Sequence, residues 1–323
     1  MTDVTIGVAV VNWNGRADTI ACLQSLARAE PGPESTVVVD NGSTDDSVTA
    51  IGDWVRRQAA STIELVSSPD NGGFAAGNNI ALARLASNHR LTHFLLLNND
   101  TTVDRSFFAD LRRALVQTPR AGLVGVTIYH ATPTGAGGVW YAGGVVDRLR
   151  VVGRHRSVVP AGDRPVAVEF VTGCAMLISR AALERLGPLP ECYFIYFEDV
   201  EYCVRARAAG LEVLYAPRPV VYHAVTGTVR AATPARVERR FAHSRALFAR
   251  RNLRGLTRMT AISYLLASGL ARAVLRTLRG RPVRAWAEFR GTLDGLLAVE
   301  GQRSAGSAGP RPSEGTVQRV IVK

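Results

Sequence analysis

The chain opens on a rhythm of short apolar runs that stop abruptly at polar clusters. Residues 5–11 (TIGVAVV) break at Asn12, Trp13, Asn14 and Gly15, and residues 36–39 (TVVV) run into Asp40, Asn41, Gly42, Ser43, Thr44 and Asp45. Residues 63–66 (IELV) precede Asn71, Gly72 and Gly73, and residues 94–97 (FLLL) end on Asn98, Asn99 and Asp100. Because these runs do not alternate with polar residues, they predict strands buried on both faces, as in parallel sheets. Between them, Ile20, Leu23 and Leu26 give helical spacing over residues 18–28. Further helices are predicted from near Asp46 through Trp54, capped by Ser43 or Asp45, and over residues 80–86. Four strand–helix alternations with polar residues gathered on one sheet edge predict a nucleotide-binding α/β half over residues 1–100. Neither a Walker loop nor a GxGxxG fingerprint occurs, so phosphate is expected on a metal ion rather than in a glycine cradle.

Beyond that half, the pattern predicts a helix over 105–116, a strand over 122–128 and an irregular hairpin region over 132–165 that covers the sheet. Residues 168–171 lead into Thr172, Gly173 and Cys174, followed by a strand at 176–178 and a short helix at 179–186. A second acidic cluster, YFIYFEDVEY at 193–202, continues at helical spacing to Gly210, a C-cap glycine. Glu198 and Asp199 then fall in a first helical turn, which the helix dipole favours for acids on its own. Two short strands, 213–215 and 220–222, end at His223.

Charge changes the picture in the last third. The 323 residues carry a formal net charge of +12, but residues 1–100 hold 6 Arg against 11 acids, whereas 218–323 hold 20 basic residues against 5 acids. Such a tail suits nucleic acid, anionic lipid or a phosphorylated substrate. With no zinc-finger spacing, RNA-binding aromatic signature or basic recognition helix, nucleic acid is set aside. Residues 231–300 read as Arg-rich amphipathic helices that either lie on an anionic membrane surface or pack on the rest of the chain. Residues 301–323 read as a flexible end. The longest uncharged stretch there, 259–271, is 13 residues, short of the roughly 20 needed to span a bilayer. Four widely spaced cysteines with no CxxC pair and no signal-peptide pattern point to a cytosolic chain with reduced thiols.

Taken in order, VVNWNG (10–15), VVVDNGSTDDS (37–47), NGGFAAGNN (71–79), LLLNNDT (95–101), VTGCAMLISR (171–180), FIYFEDVEYCVRARAAG (194–210) and the YH at 222–223 resemble the family 2 glycosyltransferases. With FRGTLDGL (289–296), the NND and FED versions are most similar to the rhamnosyltransferase branch. The resemblance implies a GT-A fold over 1–230, a mainly parallel mixed sheet between helices, with 101–230 as the acceptor side and a helical C-terminal appendage. It implies an inverting, Mg²⁺- or Mn²⁺-dependent enzyme moving a sugar, foremost L-rhamnose from dTDP-rhamnose, to a glycan or polyprenyl-linked acceptor. It would sit peripherally on the inner face of the cell membrane. Asp40 would accept hydrogen bonds from the donor's base, with Asn12, Asn71, Gly73, Asn78, Asn99 and Gly173 completing the donor set. Asp100 would be the metal-binding acid; Asn98 stands where many relatives have Asp, leaving one carboxylate, and His223 would supply a second ligand. Asp199 would be the catalytic base and Glu198 an acceptor-side residue. A different donor (UDP-galactofuranose, UDP-GlcNAc or another dTDP-deoxysugar) and a degenerate, non-catalytic GT-A module are the competing readings.

Overall fold

A computed structural model describes residues 4–58, 62–132, 135–225, 233–280, 282–298 and 319–320. The first half runs β1 (Ile6–Asn12), α1 (Arg16–Arg28), β2 (Ser35–Asn41), α2 (Ser47–Arg56), β3 (Ile63–Ser68), α3 (Phe74–Ala86) and β4 (His93–Asn98). It continues through β5 (Thr101–Val103), α4 (Phe107–Gln117), β6 (Ala121–Thr132), β7 (Gly135–Tyr141), β8 (Gly144–Asp147), β9 (Val152–His155) and β10 (Val166–Ala167). Then follow β11 (Ala175–Ser179), α5 (Arg180–Leu186), α6 (Glu198–Ala208), β12 (Glu212–His223), α7 (Pro234–Asn252), α8 (Gly255–Leu278), α9 (Pro282–Leu297) and β13 (Arg319–Val320).

The apolar runs become the strands they predict. β3, β2, β1 and β4 lie side by side and parallel. Val8, Val10, Val38, Val39, Leu95 and Leu96 are wholly buried among them, as expected of strands covered on both faces. β11 then inserts antiparallel between β4 and β6, and β12 runs parallel to β6. One strand therefore reverses the sheet's sense at its centre.

Three local expectations are corrected. α3 begins at Phe74, not at residue 80, so the glycine-rich segment is half helix and Asn78 lies inside it. Residues 213–215 and 220–222 are one strand, β12, carried past Pro217 and Pro219 by an irregularity between Ala216 and Val220; prolines cannot donate to a ladder and mark such breaks. The uncharged stretch at 259–271 is part of the 24-residue α8, which is long and apolar enough by composition to cross a membrane. Helix propensity carries straight through the bounding arginines, so the charges end the apolar count but not the helix. The predicted flexible end lies outside the described residues except for Arg319 and Val320, which pair antiparallel with β3.

α7 docks against the segment that leads into α6 and against the turn between β8 and β9. Arg245 donates to the carbonyls of Arg150 and Val151, Ser244 Oγ to that of Ile195 at 2.9 Å, and Phe248 packs on Phe197 with centroids 5.2 Å apart. α9 lies against α7 at Gly291 and Gly295, where a Cβ would overlap the carbonyls of Arg239 and His243.

Candidate active site

The carboxyl ends of β1, β2 and β4 and the start of α6 surround a cavity of about 400 Å³. Beneath it, a polar cage fixes the loop after β1. Asn12 accepts from Gly15 N–H (3.1 Å) and Thr19 Oγ1 (2.8 Å) and donates to Asp40 Oδ2 (2.7 Å), while Asp40 also accepts from Ser43 N–H (3.0 Å) and Ser43 Oγ (2.6 Å). Both Asn12 and Asp40 are buried and lie outside the cavity wall. A carboxylate offers about four lone-pair sites, and here three are taken, which leaves one acceptor site on Asp40 Oδ1. Neither expected residue caps α2: its N-cap position is Asp46, which makes no side-chain capping bond, while Ser43 is committed to Asp40 and Asp45 accepts from Ser47 N–H at 3.0 Å in a turn just ahead of the helix.

The other residues expected in the donor set line the cavity: Asn71, Gly73, Asn78, Asn99 and Gly173. Asn71 Oδ1 accepts from Asn41 Nδ2 (3.1 Å) and Gly73 N–H (3.0 Å), Asn99 donates to Thr19 Oγ1 (3.0 Å), and Asn78 donates back to the Phe74 carbonyl (2.9 Å). Gly73 sits at φ +89°, and its Cβ would overlap the Phe194 carbonyl, which accepts from Phe74 N–H at 2.8 Å. Only glycine serves there. The glycine-rich loop before α3 and the turn before α6 are thereby joined backbone to backbone.

At the end of β4, Asp100 Oδ1 stands 3.2 Å from His223 Nε2, both side chains buried. His223 Nδ1 is buried without a hydrogen-bond partner, and the Trp140 ring meets the imidazole edge-on at 4.7 Å. The donor set fits a divalent ion: an octahedral ion with ligands at about 2.1 Å holds adjacent ligands about 3 Å apart, and one or two protein groups suffice when phosphate and water supply the rest. Among the described residues no cluster of three or more acidic, His or Cys side chains offers a closed metal cage.

Across the cavity, Asp199 Oδ2 accepts from Gly173 N–H at 2.9 Å and Oδ1 from Val200 N–H at 2.7 Å. Burial raises the Asp199 carboxyl above its ordinary value, and the Gly173 and Val200 donors hold it back. Glu198 is pushed further up by burial and by its neighbour Asp199, and its Oε2 has no partner among the described residues. The two N–H donors favour the charged form of Asp199, whereas burial and the neighbouring Asp199 favour the neutral form of Glu198. Cys174 lies between the two ends, its thiol pushed up by burial and by both Asp100 and Asp199. The turn that delivers α6 is strained: Tyr196 and Phe197 both adopt left-handed backbone at φ +72° and +73°. Non-glycine residues hold such angles only when packing over-determines them, and here Phe241 and Phe248 of α7 do so.

Sequence reasoning missed Trp13, Trp140, His155, Tyr196 and Phe241, all of which line the cavity. Trp140 and His155 come from the irregular 132–165 region, whose short runs carry no period, and they stack edge to face at 4.4 Å. Burial holds His155 below the ordinary imidazole value, so it is a neutral acceptor or donor.

The model of the glycosyltransferase-like family 2 matches residues 4–254. The chain belongs to glycosyltransferase family 2. That membership bears out the family expected from the sequence motifs. This glycosyltransferase is 27% identical over 247 residues to the N-acetylglucosaminyl-diphospho-decaprenol L-rhamnosyltransferase of Mycobacterium tuberculosis, covering 69% of this chain and 76% of that one. It is 23% identical over 215 residues to the low-salt glycan biosynthesis hexosyltransferase Agl10 of Haloferax volcanii, covering 64% of this chain and 63%, less than two thirds, of that relative's length. GalNAc-T7, crystallised with UDP, GalNAc and Mn²⁺, superposes with a TM-score of 0.60 at 13% identity, over 87% of this chain and 59% of its own. The mannosyltransferase PcManGT of Pyrobaculum calidifontis, in complex with GDP-Man and Mn²⁺, gives 0.54 at 17%, over 90% and 87%. Both likenesses show the fold, GT-A.

Proposed function

We propose that this family 2 glycosyltransferase is an inverting, divalent-ion-assisted enzyme that moves L-rhamnose from dTDP-L-rhamnose to a hydroxyl of a lipid-linked glycan. The observation that carries the reading is one cavity with Asp100 and His223 at one end and Asp199, poised on two backbone N–H groups, at the other. The name of the mycobacterial relative supplies the sugar and the lipid-linked acceptor.

Asp199 faces the acceptor. The acceptor oxygen bonds to the anomeric carbon from the side opposite the diphosphate, its proton passes to the Asp199 carboxylate, and the bond from the anomeric carbon to phosphate breaks with its electron pair on the departing oxygen. A single carboxylate suffices for this one-step inversion. Glu198, protonated, can both donate to and accept from an acceptor hydroxyl and so orients it. A divalent ion held by Asp100 and His223 would offset the charge gathering on the leaving diphosphate. Trp140 and Phe194 line the cavity.

The test is a donor screen with purified protein, reading acceptor-dependent release of nucleoside diphosphate after EDTA treatment and after adding back Mn²⁺ or Mg²⁺. Turnover with dTDP-L-rhamnose and a product of inverted anomeric configuration is the expected result. Turnover confined to a UDP-sugar overturns the donor; full activity in EDTA overturns the metal.

A further inference from the structure

α8 is built inside out. Its buried positions, Ala261, Leu265, Gly269 and Ala273, lie on the side that also carries its arginines. Arg272 pairs with Glu288 of α9 at 2.7 Å, and Arg276 with Glu238 of α7 at 3.0 Å. The outward stripe, by contrast, is uncharged from end to end: Leu256, Met259, Leu270, Val274 and Leu278, with small Ser263 and Ala267 between. Leu256 is 74% exposed, Met259 66% and Leu278 80%. Spaced three and four residues apart, these positions form one ridge about 33 Å long at 1.5 Å per residue. An ordinary surface helix turns its charges to water and its apolar face to the core, and contiguous apolar patches of this size mark contact surfaces.

We propose that this ridge lies in the plane of an anionic bilayer interface, buried among the acyl chains at headgroup depth. Charge selects the occupant. Arg254, Arg258 and Arg279 are exposed near the two ends of the helix, beside the ridge rather than on it, in a region of 20 basic against 5 acidic residues. A second copy would bring like charges together, whereas anionic headgroups complement them. The helix lies on the membrane and does not span it, because its other face is tied to α7 and α9 through Arg272 and Arg276. The arginine-led adsorption expected from sequence is thereby changed: the apolar ridge supplies the hold and the terminal arginines choose the lipid.

The inference is independent of the donor and is tested without catalysis. Full-length protein is co-sedimented with phosphatidylcholine vesicles with and without phosphatidylglycerol, at low and high salt. Wild type binds the anionic vesicles best, a salt-resistant fraction remains, and alkaline carbonate releases it. Leu270→Glu with Val274→Glu lowers the partition coefficient about tenfold or more while melting temperature and donor turnover stay unchanged. Arg258→Ser with Arg279→Ser removes the preference for phosphatidylglycerol but keeps the salt-resistant fraction. The proposal is overturned if the double Glu variant binds as wild type does, if wild type binds neither vesicle, if carbonate fails to release it, or if the same substitutions instead dissolve a dimer seen by sedimentation without lipid.

Discussion

Asp199→Asn removes the proton acceptor yet keeps a side-chain oxygen for the Gly173 N–H. Transfer should fall by about 10²- to 10⁴-fold, while donor affinity, measured by calorimetry with a nucleotide, stays within a few-fold; lost affinity with near-normal turnover would instead make Asp199 a donor ligand. Because burial raises its carboxyl above 3.8, the acid limb of the rate profile should lie above that value. Glu198 carries the opposite message for stability. Its folded carboxyl is raised well above 4.5 by burial and by Asp199, so the folded chain keeps a proton that the unfolded chain loses. The stability this contributes is complete below 4.5 and is lost as pH rises toward the folded value. Glu198→Gln, neutral in both states, should therefore melt progressively higher than wild type as pH climbs above 4.5 and show no advantage below it. Both acids are legible in the sequence because FED opens a helical pattern. Trp140 and His155 are not, since they reach the cavity from a segment whose position depends on pairing with distant strands.

Between α6 and α7 the contact is ionic and buried. Glu201 accepts from Arg251 at 3.0 Å, Asn252 at 2.8 Å and Tyr193 at 2.6 Å, with only 3% of its side chain exposed. Burial alone would raise its carboxyl, but the Arg251, Tyr193 and Asn252 hydrogen bonds outweigh it and bring it below 4.5. Arg251→Met leaves a buried carboxylate short of its cation and should cost about 3 kcal/mol by chemical denaturation, near the low end for broken buried pairs because Arg251 keeps some exposure. The loss should shrink as pH falls through the wild-type Glu201 value, where the carboxylate is protonated and the pair is gone in either protein. Strands at this scale were readable because uninterrupted apolar runs have few other uses. The orientation of α8 was not: an amphipathic pattern gives two faces, and which one meets the protein is decided by Glu238 and Glu288 on other helices.

For the molecule as a whole, the proposed donor and ion would bind at an edge shared by β1, β2, β4, β11 and β12, so occupancy should stiffen both halves of the sheet together. A nucleoside diphosphate with Mn²⁺ at a hundredfold excess over its dissociation constant should stabilise the fold by about 2.7 kcal/mol, read as a rise in melting temperature. Asp100→Ala should erase the part of that rise that depends on Mn²⁺; an unchanged response would remove Asp100 from the metal site. The reversed strand β11 adds one thing more. Its antiparallel sense brings a strand's beginning next to the end of β4, and there Asn98 N–H bonds to the Cys174 carbonyl at 2.9 Å. Asp100 and Gly173, far apart along the chain, become neighbours across one cavity. Part of the chain threaded between them, β5, α4 and β6, belongs to the buried sheet layers, but β8 and β9 form a small sheet of their own. That excursion can change length without re-tuning its two anchor points.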